Sequence, residues 1–291
     1  MKSAILVESK KPLVVAEIDL PTKLEFGQVL VKVCYSGICG AQINEIDAIK
    51  GPDKFLPHLL GHEGSGIVKK VGSDVTHVKE GDHVIVTWVR RNPVTGRATN
   101  PPSGITYRGE PANGNVFTWS EDVLINEQYV VPISKDAPTD VSCIVGCAVL
   151  TGAGAVLNTA KVRPGESVAV FGVGGVGLCA IRMAAILEAY PIIAVDLKED
   201  KLDFARQFGA THLINASDYD AVKAIQDITR GGVDYAFDAI GLKVTNEQIL
   251  PATRAGGAGA DNTGGMAVLI GLPGGDVTID SRLFVSGQRQ Y

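Results

Sequence analysis

Three things are scarce in this chain, and each scarcity removes a class of function. Basic charge is the first: 27 Lys and Arg stand against 32 Asp and Glu, a formal net charge of −5. That balance leaves no broad cationic surface for a nucleic acid. Long apolar runs are the second. No stretch approaches the roughly 20 apolar residues that span a bilayer, so no membrane partner is expected. The opening Met-Lys-Ser-Ala-Ile-Leu-Val-Glu-Ser lacks the apolar core of a secretion signal and reads as a strand; the expected location is the cytoplasm. Cysteine is the third. There are five, Cys34, Cys39, Cys143, Cys147 and Cys179, and none between Cys39 and Cys143. An odd number without a secretion signal argues against a disulfide framework and leaves metal ligation or burial.

Glycine is plentiful, and its most informative cluster follows a short β-branched run. Val168-Ala-Val-Phe171 leads into Gly172-Val173-Gly174-Gly175-Val176-Gly177, after which small and apolar residues continue as a helix. In such a turn Gly172 permits the tight bend, Gly174 lets backbone N–H groups approach a pyrophosphate, and Gly177 lets the helix pack on the strand. The helix N-terminus adds unpaired donors and partial positive charge. A second strand, Pro191-Ile-Ile-Ala-Val195, ends in Asp196, nineteen residues beyond Gly177. A carboxylate there accepts hydrogen bonds from an adenosine ribose and repels a 2′-phosphate, which selects NAD over NADP. The plainer alternative makes Asp196 the N-cap of a helix beginning at Lys198-Glu-Asp-Lys201.

The chain is long enough for two domains, and its pattern changes near residue 150. Segments 4–8, 13–18, 28–33, 66–71 and 83–87 contain β-branched residues bounded by Gly, Pro or Asp and read as strands. A succession of this kind predicts a partly open barrel. Residues 90–115, rich in Pro, Gly, Asn and Arg, read as a long surface loop without secondary structure. From Asp140, a plausible N-cap, a linking helix carries Ile144 and Val145. Strands at 168–171, 192–195, 212–215, 234–237 and 266–270 then alternate with helices at 175–188, 199–208, 219–229 and 245–254. That alternation predicts a doubly wound parallel sheet. The fold class is therefore α/β plus β, with domains at 1–149 and 150–291.

A candidate metal set is scattered through the first domain. Cys39 stands in Ser-Gly-Ile-Cys-Gly, His62 and Glu63 in Leu-Gly-His-Glu-Gly, and Cys147 in Val-Gly-Cys-Ala. Two thiolates and an imidazole would neutralise Zn²⁺ and leave one tetrahedral position open, as catalysis requires. Sequence separation does not show that these residues converge. Buried cysteines and a satisfied core histidine account for them equally well.

Gly-Ile-Cys39-Gly, Gly-His62-Glu63-Gly-Ser-Gly, Gly-Cys147-Ala-Val-Leu-Thr151-Gly and the dinucleotide turn occur in the order and approximate spacing of the medium-chain zinc-dependent alcohol dehydrogenases. The chain resembles that family from Met1 to its end. The resemblance implies a GroES-like barrel followed by a Rossmann NAD-binding domain. It places the catalytic zinc ligands on Cys39, His62 and Cys147, with Glu63 beside them in the metal site. Thr151 matches a residue near the nicotinamide, and Asp196 and Lys201 match the pair that holds the adenosine ribose. Ile240, Gly271 and Leu272 match backbone lying against the cofactor. The implied activity is hydride transfer between an alcohol, or the corresponding aldehyde or ketone, and NAD(H). The implied assembly is a homodimer or homotetramer, joined partly through a sheet edge near residues 277–280.

The chain also departs from the family. The four closely spaced cysteines of a structural zinc lobe are missing, so one zinc per chain is expected. Ala41 stands where a hydroxyl usually begins the proton relay and has no side-chain donor or acceptor. Gln42 stands where an Asp often supports the histidine ligand, and Asn44 where some relatives have a relay histidine. Glu45, Glu63 or a water chain are the candidates to carry the proton. Relatives continue for several dozen residues past the position of Tyr291, so the chain reads as truncated before its return to the first domain. Two other functions remain open at this point: a zinc-free reductase of quinones or enones, and an NAD-binding protein without turnover. Cys34, Cys143 and Cys179 read as core residues, and Arg90 and Arg91 as a solvated face. A structural role is the plainer reading for His58, Trp88 and Trp119.

Overall fold

The computed structural model describes residues 1–49, 51–91, 102–257, 262–272 and 274–291. It divides into two compact units, Met1–Cys147 and Ala148–Tyr291. Among the described residues no single helix is long and apolar enough to cross a membrane.

The first unit is built on antiparallel pairing. Val14–Glu17, Lys2–Leu6 and His58–Leu59 form one sheet. A second has the order Val130–Pro132, His83–Thr87, Glu63–Val71, Gln28–Ser36, Asp122–Asn126. Side chains from both sheets meet in one core, including Ile5, Leu59, Val29, Val31, Val84, Leu124 and Phe117. The strand expected at 66–71 begins earlier, at Glu63. Glu63, Gly64 and Ser65 carry no β-branched signal, but they pair with Thr87, Val86 and Ile85, and Gly64 and Ser65 also face Ser36 and Tyr35. Tertiary pairing overrides local propensity there.

The expectation of an unstructured loop over 90–115 is corrected in its described part. Thr106–Tyr107 pairs with Glu110–Pro111 as a short hairpin, and Ile105, Tyr107 and Ala112 enter the core. Residues 92–101 lie outside the described residues. Cys34 is exposed rather than a core residue, because it lies on the outward face of its strand; Cys143 is buried and Cys179 half-buried. Asp140 is not an N-cap. The helix Thr139–Ser142 starts after Pro138, and the Asp140 carboxylate accepts its neighbour Val141's N–H.

The second unit carries a five-stranded parallel sheet in the order His212–Asn215, Ile192–Asp196, Val168–Phe171, Tyr235–Asp238, Met266–Leu269. Val168–Phe171 is buried at every position, as a central strand covered on both faces must be. Two core clusters lie on either side of it: Val168, Val170 and Phe237 belong to one, Ala169, Phe171 and Ala236 to the other. The helix expected at 245–254 runs instead over Lys243–Ala252. Thr253 leaves the helix because it bridges to Val233. The sheet edge expected near 277–280 is also corrected. Those residues form no strand; the edge strands are His212–Asn215 and Met266–Leu269, and Gln290 makes an isolated parallel bridge to Met266.

Candidate metal centre and dinucleotide site

Register assembles the metal-type cluster in the first unit. Ser36, at the end of its strand, faces Gly64, which places the 37–39 turn beside the start of Glu63–Val71. Glu63 in turn faces Thr87, and the Thr87 hydroxyl donates to the Gly146 carbonyl at 2.6 Å, drawing in the turn before Cys147. Cys39 ends its turn as the N-cap of the helix Gly40–Ile46. One ligand atom from each of Cys39, His62, Glu63 and Cys147 lies within 4.8 Å of all the others. The two sulfurs are 3.9 Å apart.

The donor chemistry of the cluster fits a soft to borderline divalent metal. His62 Nε2 is buried without a hydrogen-bond partner in the protein, an arrangement that costs free energy unless something else meets the lone pair. Cys147 beside it, and then His62, bring the Cys39 thiol down to about 4. The hydrogen bond to that sulfur, burial, and the charges of Cys39 and Glu63 push the Cys147 thiol up. The pair therefore releases one proton readily and holds the second until a cation compensates it.

The surrounding residues brace this arrangement, and most of them carry no motif. Ser36 Oγ donates to the Glu63 carbonyl at 2.9 Å and lies 2.7 Å from Thr118 Oγ1. Trp119 Nε1 donates to the Gly37 carbonyl at 3.0 Å. A Cβ on Gly37 would collide with Glu63 Oε2, so the carboxylate rests in a notch that only glycine leaves open. Gln42 is buried, and its Oε1 accepts the Gly61 N–H at 2.7 Å, steadying the segment next to His62 through the backbone. Trp88 is half exposed with its ring 6.3 Å from that of His62. Glu45 is exposed. His58 Nδ1 meets Asp53 Oδ2 at 2.7 Å. Arg91 is not a solvated residue: its Nη2 donates to the Val130 carbonyl at 2.8 Å.

In the second unit, several of the residues expected to meet a dinucleotide lie at the ends of its central strands. Gly172 has φ +90°, and a Cβ there would strike Ile240; a Cβ on Gly177 would run into the Gly172 carbonyl. Gly174 caps the helix Gly175–Ile186 and has open space where its Cβ would stand. Asp196 Oδ2 accepts the Val173 N–H at 3.0 Å, so the acid lies against the glycine turn. It does not cap the following helix Glu199–Arg206, whose N-cap is Lys198. Lys201 is exposed on that helix. Thr151 sits on the helix Ala148–Gly154, which approaches so closely that a Cβ on Gly152 would collide with the Val176 carbonyl. Gly271 and Leu272 lie against Gly241.

A parallel nucleotide-type sheet, with a thiol–imidazole–carboxylate cluster in a separate antiparallel unit, defines an oxidoreductase of the zinc alcohol dehydrogenase type. Comparison with known proteins agrees. Residues 25–135 match the alcohol dehydrogenase GroES-like domain, and residues 175–291 match the zinc-binding dehydrogenase family. The chain is 36% identical over 307 aligned positions to the S-(hydroxymethyl)glutathione dehydrogenase of Escherichia coli O139:H28 (strain E24377A / ETEC), covering 97% of this chain and 81% of that protein. Among solved structures it resembles an alcohol dehydrogenase zinc-binding domain protein from Burkholderia ambifaria (TM-score 0.87, 29% identity, 99% of this chain and 82% of that one). It also resembles benzyl alcohol dehydrogenase from Acinetobacter calcoaceticus (TM-score 0.85, 30% identity, again 99% and 82%). The chain belongs to the medium-chain zinc-dependent alcohol dehydrogenase family.

Proposed function

We propose that this chain transfers a hydride between an alcohol, or its aldehyde or ketone, and NAD(H), with one zinc ion in the first unit. The observation that carries this reading is the convergence of Cys39, His62, Glu63 and Cys147, with His62 Nε2 buried and without a hydrogen-bond partner in the protein. Cys39, His62 and Cys147 would hold the metal, and Glu63 would stand beside them. When bound, zinc supplies Lewis acidity toward the substrate oxygen, and NAD supplies the hydride acceptor. In the second unit, the open face of Gly174 and the helix N-terminus at Gly175 receive the pyrophosphate. Asp196, held against the turn by the Val173 N–H, accepts from the ribose and disfavours a 2′-phosphate.

The test is metal content of the purified chain and of Cys147→Ala, followed by alcohol-dependent NADH formation. The alcohol panel includes benzyl alcohol and S-(hydroxymethyl)glutathione, for which the relatives are named. The expected result is about one zinc per chain, lost in the variant together with activity. A wild-type chain free of zinc under metal-preserving conditions would overturn the reading in favour of a zinc-free reductase. Bound zinc with no NADH from any alcohol would overturn it in favour of a non-catalytic NAD-binding protein.

A further inference from the structure

Asp238 ends the strand Tyr235–Asp238, belongs to no nucleotide-binding motif, and is completely buried. An isolated carboxylate in such a place is costly, yet this one is surrounded by donors. Its Oδ1 accepts the Ile240 N–H at 2.8 Å and the Gly241 N–H at 3.1 Å. Its Oδ2 accepts from the Thr245 hydroxyl at 2.9 Å and from the Asn246 amide. Its own carbonyl accepts the Ile270 and Gly271 N–H groups at 2.9 and 2.8 Å. One residue thus ties together the turn after its strand, the first turn of the helix Lys243–Ala252, and the backbone leaving the neighbouring strand Met266–Leu269.

The segments it gathers are those that face the glycine turn. Ile240 packs where a Cβ of Gly172 would stand, and Gly241 sits so close to Gly271 and Leu272 that neither Gly241 nor Gly271 has room for a side chain. Displacing the 239–241 turn by a few tenths of an ångström would move Ile240 against Gly172 and shift the 271–272 backbone with it. Hydrogen bonds to an ionised acceptor are the stronger kind, which makes a buried carboxylate suited to fixing two adjacent N–H groups.

We propose that Asp238 is a positioning residue for the dinucleotide, holding Ile240, Gly241 and Gly271 in the arrangement the cofactor meets. This rests on the reading of the second unit as an NAD site. The residue touches the cofactor only through the groups it holds.

The experiment compares wild type with Asp238→Asn and Thr245→Val. The amide turns a donor toward the Asn246 amide; the valine removes one donor and keeps the charge. NADH binding is followed by the fluorescence of NADH itself, with the KM for NAD, kcat and melting temperature measured in parallel. The NADH dissociation constant and the KM for NAD are expected to rise together, about ten-fold in Asp238→Asn and about three-fold in Thr245→Val, with full binding at saturation. Unchanged KM, with the loss confined to the fraction of folded chain, would give Asp238 a merely structural role and overturn the proposal. If Asp238→Asn does not fold, Thr245→Val decides by the same criterion. A wild type that binds no NADH removes the NAD reading and the proposal with it; wild-type binding matched by both variants removes the proposal alone.

Discussion

The two units solve the problem of building a site in opposite ways. In the first, the cluster is made of side chains from positions 39, 62, 63 and 147, brought together by strand register and one hydroxyl–carbonyl bond. In the second, the surface proposed to meet the cofactor is largely backbone from the 172–177 turn, the 239–241 turn and residues 271–272, packed closely on one another. A side-chain site depends on which atoms are present. A backbone site depends on which atoms are missing, and on anchors that keep the turns in place. The first should therefore fail by chemistry and the second by sterics.

Gly177→Ala tests that contrast most severely. A Cβ at Gly177 would run into the Gly172 carbonyl, and neither backbone segment can yield without moving the turn or the helix. The expected outcome is loss of NADH binding and a destabilisation of about 1–3 kcal/mol, read by titration and thermal melting. Zinc content should stay unchanged, because the metal cluster lies in a unit with its own core. Loss of zinc in this variant would show that the two sites do not fail independently.

Gly37→Ala is the corresponding steric test in the first unit, with a smaller effect. Here the added Cβ meets the end of a flexible side chain, Glu63 Oε2, rather than backbone. The fold should persist while the carboxylate is pushed from its notch. Zinc affinity is expected to fall about 10–100-fold, the range seen when groups around metal ligands are altered, measured by chelator competition. Unchanged affinity would mean that Glu63 contributes nothing to holding the metal.

The same contrast explains what the sequence disclosed. The glycine turn was legible because its strand, bend and helix are local, and Gly172 and Gly177 each answer a close contact. The place of Asp196 at the end of its strand was legible in the sequence, although its bond to the Val173 N–H was not. The four metal-type donors could be named from their chemistry, but their convergence could not be read, since it rests on the pairing of Ser36 with Gly64 and Glu63 with Thr87. The hairpin Thr106–Tyr107 with Glu110–Pro111 hid in a polar stretch, because Ile105, Tyr107 and Ala112 gain their burial from strands elsewhere. Thr118 gave no signal, and Trp119 gave only the expectation of a structural role; their places as braces exist only once Gly37 and Glu63 are neighbours. Arg91 looked solvated because its partner carbonyl, Val130, is remote in sequence.

The smallest expected effect concerns an anchor at the opposite end of the parallel sheet. Asp234 Oδ2 accepts from both the backbone and the hydroxyl of Ser167, at 2.8 and 2.7 Å, and Oδ1 accepts from Arg254 Nε at 2.6 Å. Burial opposes its ionisation, but Arg254 and the Ser167 donors outweigh that and hold the carboxyl below its ordinary 3.8. A depressed carboxylate pKa means the unfolded chain binds the proton first. The stabilisation is therefore present above the unfolded value and is lost as pH falls below about 4 through the folded one. Asp234→Asn should lower stability at neutral pH by about 1 kcal/mol, the scale of one partly exposed charge-assisted bond. Its melting temperature should then fall less steeply than that of wild type as acid is added, so that the two curves approach each other. Parallel acid limbs would mean that the Ser167–Asp234–Arg254 tie is geometric, and that this end of the sheet, unlike the 239–241 turn anchored on the Asp238 carboxylate at the other, is held by shape rather than charge.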